Sequence, residues 1–213
     1  RRMSDTSLQS SGPGRPKDLA KREAILEAAK CLFLRHGYAG SSMDSIAAHA
    51  GVSKLTVYSH FTDKETLFCA AVKARCEEQL PELFFEFPAG ATARNVLLNI
   101  ARGFVQLLNS SESVDLHRLM ASLGAKDPQL AKIFYEAGPQ RLLIEMERSL
   151  GKMDQSGQLR IESPKLAADQ FFSLLKNGAN FRLLIGCGEP ETEAQQEQHA
   201  RATVELFLRA YRP

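Results

Sequence analysis

The chain has 213 residues, enough for one large domain or two smaller ones with a hydrophobic core. Hydrophobic residues make up 44% and charged residues 24%, an ordinary balance for a globular protein, and no unbroken apolar run is long enough for a membrane span. The net charge of +2 is unevenly placed: residues 1–64 hold ten Lys/Arg against six Asp/Glu, which reads either as a surface for a polyanion or as a solvated face.

Residues 1–17 are rich in Ser, Gly and Pro and lack apolar periodicity, so they read as a flexible basic tail without a signal-peptide core. The expected compartment is the cytoplasm. From Asp18 the pattern changes. Ile25, Ala28, Ala29, Leu32 and Phe33 share one helix face, and Gly37 suits the left-handed cap that ends it. Ser42 reads as an N-cap with Asp44 in the first turn, predicting a short helix from Met43 to about His49. Ala50-Gly51-Val52 breaks that helix. Ser53 caps the next, from Lys54 to about Ser59, and Asp63 caps a third from Lys64 toward Gln79. Further helices are predicted near 91–109, 112–123, 128–153 with a disturbance at Gly138-Pro139, 164–186 and 191–210. Asp127-Pro128 and Ser163-Pro164 are start signals. No segment alternates as a strand does. The expected fold is all-α: a helix-turn-helix domain over residues 18–63 and a larger helical domain over 64–213.

Two short helices joined by a tight Gly-containing turn form the helix-turn-helix pattern. Ala47 and Ala50 are small enough for a close crossing. Ile46, Val52 and Val57 are spaced for a shared core, and Gly51 can take the positive φ of the turn. The second helix then presents Lys54, Leu55, Thr56, Tyr58 and His60 for hydrogen bonds or methyl contacts in a major groove. Each has a plainer reading: Tyr58 as a core residue, His60 as a helix-end cap, Leu55 as cover for its own helix. Arg15, in Gly14-Arg15-Pro16-Lys17, either enters a minor groove from the flexible arm or belongs to a solubilising tail.

Residues 18–68 resemble the DNA-binding domain of the TetR family of bacterial transcriptional regulators. The resemblance is carried by IleLeuGluAlaAla at 25–29, PheLeuArgHisGlyTyr at 33–38, SerMetAspSerIleAla at 42–47, AlaGlyValSer at 50–53, ThrValTyrSerHisPhe at 56–61 and AspLysGluThrLeuPhe at 63–68. Leu116 to Gly188 resembles the C-terminal domain of the AefR-like branch, notably in AspProGlnLeuAla and GlyProGlnArg. The resemblance implies that Lys54, Leu55, Thr56, Tyr58 and His60 face DNA, with Tyr58 and His60 on the backbone. It implies that Lys64 meets a phosphate, and that the helix end capped by Ser42 points at another. Ser59 departs from the large aromatic residue often found there, and Ser42-Met43 replaces a commoner threonine pair.

A ligand cavity is expected in the second half, largely on the strength of the family. Its candidate walls are Phe84, Phe85, Phe87, Phe104, Met120, Phe134 and Tyr135, with His117, Arg118 and Asn177 as polar groups that orient a small hydrophobic ligand. The plainer reading of any one aromatic residue is core. The last two predicted helices carry Leu166, Phe171, Phe172, Leu174, Leu175, Phe181 and Leu184, and Val204, Leu206, Phe207, Leu208 and Tyr211. They are candidates for pairing with a second copy, or pack only on their own chain.

The expected function is therefore a ligand-responsive regulator, a repressor by the family's majority habit, that binds a palindromic double-stranded operator as a homodimer. An activator or a redox-responsive regulator of the same fold is the alternative. Cys69 and Cys76, seven apart on one helix face, are either small buried residues or that redox switch. Cys31, Cys69, Cys76 and Cys187 form no CxxC pair, and no HExxH, Walker loop or GxSxG elbow occurs. Neither an enzyme, nor a metal, nor another cofactor is expected.

Overall fold

The computed structural model describes residues 15–79, 85 and 88–213. Phe84, Phe87 and the side chain of Arg15 lie outside the described residues. Eleven α-helices and no strand occur among those described, as the all-α expectation required. None of these helices is long and apolar enough to cross a membrane. The chain divides into two compact units, Arg1–Ala71 and Val72–Pro213.

In the first unit, α1 (Arg15–His36) opens three residues before Asp18, where the sequence pattern changes, with Pro16 in its first turn. That turn needs no amide hydrogens from its residues, so proline does not delay the helix. Ile25, Ala28, Ala29, Leu32 and Phe33 form the buried face of α1. They meet Met43, Ile46 and Ala47 of α2 (Met43–Ala50) and Val57 of α3 (Lys54–His60). Leu67, Phe68 and Ala71 of α4 (Lys64–Gln79) are buried in the same unit, and Phe68 meets both Phe33 and Tyr38 edge-on. Gly51 stands at φ 68° between α2 and α3, where its amide caps the carbonyls of Ala47 and Ala48. A side chain there would be strained by the left-handed backbone alone.

The second unit is built on α5 (Ala93–Asn109), which lies against α11 (Glu193–Ala210). α8 (Pro139–Gln155) and α9 (Pro164–Leu175) close its core. Leu97, Ile100, Met146, Leu150, Met153, Phe171 and Phe207 are almost completely buried there. α6 (Ser111–Gly124) and α7 (Pro128–Ala137) pack together, and α10 (Gly178–Leu184) lies on α6. Arg118 of α6 makes that last contact specific: Nε donates to the Leu184 carbonyl at 2.9 Å and Nη2 to that of Leu183 at 2.6 Å.

Two helices expected to be continuous are broken. The break at Gly138-Pro139 separates α7 from α8 where the sequence showed only a disturbance, because Pro139 brings no amide hydrogen and so opens a new helix. The second break, at Lys176-Asn177, divides the segment expected as one helix over 164–186. Asn177 Oδ1 accepts the Asn180 amide at 2.9 Å and so starts α10 afresh.

Candidate nucleic-acid interface and ligand cavity

The turn side of the first unit is set by local capping. Ser42 Oγ accepts the Ser45 amide at 3.1 Å and Ser45 Oγ accepts the Ser42 amide at 3.0 Å, a reciprocal capping box that fixes the start of α2. Ser53 Oγ caps α3 by accepting the Thr56 amide at 3.1 Å, and it lies 2.8 Å from the Thr56 hydroxyl. Val57 turns fully inward and anchors α3, which leaves its other faces outside.

Leu55 is 83% exposed and Tyr58 44% exposed. An apolar residue so open at the head of a short helix is not serving the chain's own core. Lys54 is also exposed and forms an ion pair with Asp44 of α2, 2.8 Å from Oδ1. The hydrogen bond to that carboxylate raises the Lys54 pKa, so the ammonium stays charged. A phosphate approaching α3 competes with Asp44 for it.

Two candidate residues, His60 and Lys64, engage groups of their own unit. The His60 side chain is only 10% exposed, and Nε2 lies 3.1 Å from Asp18 Oδ1 at the start of α1, without hydrogen-bond alignment. Lys64 folds back on its own unit. Its Nζ donates to the carbonyls of Tyr38 at 3.0 Å and Ser41 at 3.2 Å, and lies 4.3 Å from the Tyr38 ring centroid. In this arrangement it tethers the loop that leads into Ser42.

The second unit holds a cavity of about 170 Å³, lined mainly by α5, α6, α7, α8 and α9. Of the candidate wall and ligand residues, Phe104, His117, Phe134 and Tyr135 line it together. Met120 and Asn177 are not among its lining residues. Met120 is buried on α6, and Asn177 caps α10 while its Nδ2 donates to Glu191. Phe84 lies outside the described residues. The lining also includes Cys76, Leu142, Phe172, Asp169 and Lys176, which sequence reasoning did not propose for this role. The heptad pairing of Cys69 with Cys76 put Cys76 on an inner face, but which helices it would meet had no sequence signal. Burial pushes the Cys76 thiol up to about 11, so it is a thiol rather than a thiolate at neutral pH.

His117 is the polar centre of this cavity. Its Nδ1 lies 2.6 Å from the Ser113 carbonyl oxygen, one helical turn back. A carbonyl oxygen only accepts, so Nδ1 carries the proton. Burial lowers the pKa of the ring, with Lys176 acting the same way and the Ser113 bond opposing it. The Phe134 ring stands edge-on to it, 5.4 Å between centroids.

A compact helix-turn-helix unit followed by a larger helical unit with a lined cavity defines the class of helix-turn-helix transcriptional regulators. Comparison with known proteins narrows this. Residues 25–71 match the model of bacterial regulatory proteins of the tetR family, and residues 95–213 match the C-terminal domain of AefR-like transcriptional repressors. The chain belongs to the TetR family. It is similar to the crystal structure of a TetR-family transcriptional regulator from Mesorhizobium loti. The identity there is 32%, over 92% of this chain and 99% of that one, with a TM-score of 0.83. It is also similar to the flavonoid-responsive regulator FrrA, at 33% identity over 91% and 97% of the two chains, TM-score 0.77. The transcriptional repressor AcnR of Corynebacterium glutamicum is 25% identical over 80% of this chain and 85% of its own. These relatives are regulators of transcription, not enzymes.

Proposed function

We propose that the chain is a repressor that binds a palindromic operator as a homodimer and releases it when a small hydrophobic effector enters the cavity of the second unit. The observation that carries the DNA side is the outward presentation of Lys54, Leu55 and Tyr58 on a helix anchored inward by Val57. Thr56 and the capped start of α2 at Ser42 complete this surface. His60 and Lys64 contribute by holding α3 and the loop before α2 in place. Arg15 is assigned to phosphate attraction from the start of α1.

The cavity supports the effector side of the reading, as does the similarity to FrrA, a flavonoid-responsive regulator. α4 contributes Lys64–Ala71 to the first unit and Val72–Gln79 to the second, and is the proposed route of the signal. The dimer reading is supported by apolar side chains left outside: Leu166 and Leu174 on α9, Phe181 on α10 and Leu206 on α11. Phe171, Phe172, Leu175, Val204 and Phe207 are buried in their own unit and are not available for such pairing. The redox alternative finds no support in Cys76, whose raised pKa disfavours the reactive thiolate.

The test is a footprint on the DNA upstream of the chain's own gene, followed by a salt titration of binding to the protected duplex. A palindromic footprint is expected, with log affinity falling as log salt rises. Tyr58→Ala and Lys54→Ala weaken binding while helicity and mass in solution stay unchanged. No duplex binding at any salt concentration would defeat the proposal, and unimpaired binding by both variants would move the interface off α3.

A further inference from the structure

The cavity has a chemical signature of its own. With Nδ1 protonated and committed to the Ser113 carbonyl, the other nitrogen of His117 is an acceptor. Nε2 has no hydrogen-bond partner among the described residues. The walls around the ring are aromatic and aliphatic: Phe104, Phe134, Phe172, Leu108 and Leu142. Phe104 and Phe172 lie with centroids 4.5 Å apart. A ligand here therefore needs one hydrogen-bond donor and an otherwise apolar surface, because an acceptor left bare beside a bound apolar ligand carries a desolvation penalty.

Size and charge narrow the class. A cavity of about 170 Å³ is close to the engineered protein cavities of about 150 Å³ that hold one benzene ring. Among the described residues, Asp169 and Lys176 are the only acidic or basic side chains on the lining besides His117, of opposite sign and both exposed. They offer no net charge to an ionic ligand, and moving a charged group from water to a place among the phenylalanines carries a high desolvation cost.

We propose that the cavity selects a compact, uncharged phenol of one aromatic ring, whose hydroxyl donates to Nε2 of His117 while the ring lies among Phe104, Phe134 and Phe172. The proposal rests on the reading of this cavity as the effector site and adds the ligand class and the residue that selects it. His117 acts as an acceptor whose direction is fixed by Ser113. The ligand keeps its proton.

The probes are p-cresol and toluene, which differ by the one hydroxyl, measured by calorimetric titration of the full chain. p-Cresol is expected to bind about tenfold more tightly than toluene, the ratio that one net hydrogen bond supplies. In His117→Phe the preference disappears while toluene binding remains, and folding is checked by circular dichroism. The nitrogen chemical shift of His117 Nε2 moves with p-cresol and not with toluene, a readout independent of the substitution. Equal affinities in the unaltered chain would overturn the donor requirement and leave the cavity as an apolar site. A preference that survives His117→Phe would overturn the role of His117. Failure of both probes to bind would overturn the ligand class and the cavity together. Binding of p-cresol without any change in operator affinity would sustain the ligand class and defeat the effector reading.

Discussion

Lys64 grips Tyr38 twice, donating to its carbonyl oxygen at 3.0 Å while the ammonium stands 4.3 Å from the centroid of its ring. A third contact, to the Ser41 carbonyl at 3.2 Å, extends the hold to the residue before the α2 cap. Lys64→Met retains much of the stem and loses all three. The expected cost is about 1.5–3 kcal/mol, the range for hydrogen bonds to a charged group, read as a fall in the urea midpoint. Operator affinity falls with it, because Ser42 and the start of α2 lose their tether. Lys64→Arg recovers part of both. An unchanged midpoint in Lys64→Met would show that the tether contributes nothing to the folded state.

The four cysteines differ in exposure and so in expected reactivity. Cys187 is exposed and Cys76 is buried, with its thiol pushed up to about 11 by burial. Alkylation at neutral pH followed by peptide mass analysis is expected to find Cys187 modified early and Cys76 late. The thiolate is the reacting species, so a raised pKa slows Cys76 beyond what access alone imposes. Early labelling of Cys76 would mean that the cavity opens readily.

The outer apolar residues of the last helices give a prediction about association. Leu174 and Phe181 are 41% and 62% exposed, so replacing either by Glu disturbs little within its own chain. Leu174→Glu and Phe181→Glu are expected to shift the sedimentation of a homodimer to that of a monomer, with helicity retained. Phe171→Ala acts differently: it opens a cavity in the core at a cost of about 3–5 kcal/mol. Dimers that survive both Glu substitutions would place the pairing surface elsewhere.

Acid stability depends in part on Glu197. Its carboxylate accepts hydrogen bonds from Arg102 and from Arg201, and these hold its pKa down to about 2, against an ordinary 4.5. A value lowered in the folded state stabilises the fold above the unfolded value and loses that contribution as pH falls toward the folded one. The contribution is therefore whole above 4.5 and disappears on the way down to about 2. Glu197→Gln is expected to flatten the pH dependence of the urea midpoint within that window and to leave operator binding unchanged at neutral pH. The group is exposed, so added salt reduces the difference. A profile in Glu197→Gln identical to that of the unaltered chain would remove Glu197 from the acid response.

Much of this architecture is legible in the sequence because it is decided locally. Ser42, Ser53, Asp127 and Ser163 each announce a helix start, and each caps one through its own side chain. Gly138-Pro139 signals a disturbance, which the structure turns into a full break. The break before α10 is harder to read, since apolar residues continue through Phe172, Leu175 and Phe181, and only the bond from the Asn180 amide to Asn177 tells the chain to restart. His60 shows the limit most clearly. Its place in the motif reads as outward, yet its environment is set by Asp18, forty-two residues earlier. Phe104, His117 and Phe134 stand out as cavity candidates by type. Leu142, Asp169 and Lys176 do not, because their role depends on which faces of α8 and α9 meet α5 and α6.

His117 and Arg118 are consecutive residues of α6. One lines the cavity; the other holds the last carbonyls of α10, the helix that carries Phe181. Their side chains leave the same helical turn about 100° apart, so under the proposed function a ligand that shifts α6 at His117 would bear on α10 through Arg118. Linkage makes such a coupling run both ways with equal strength. If a ligand alters how tightly two copies associate through Phe181, association must alter ligand affinity by the same factor. In that case dilution of the protein would act as a signal to the cavity, and the apparent affinity for a ligand would depend on the concentration of the chain.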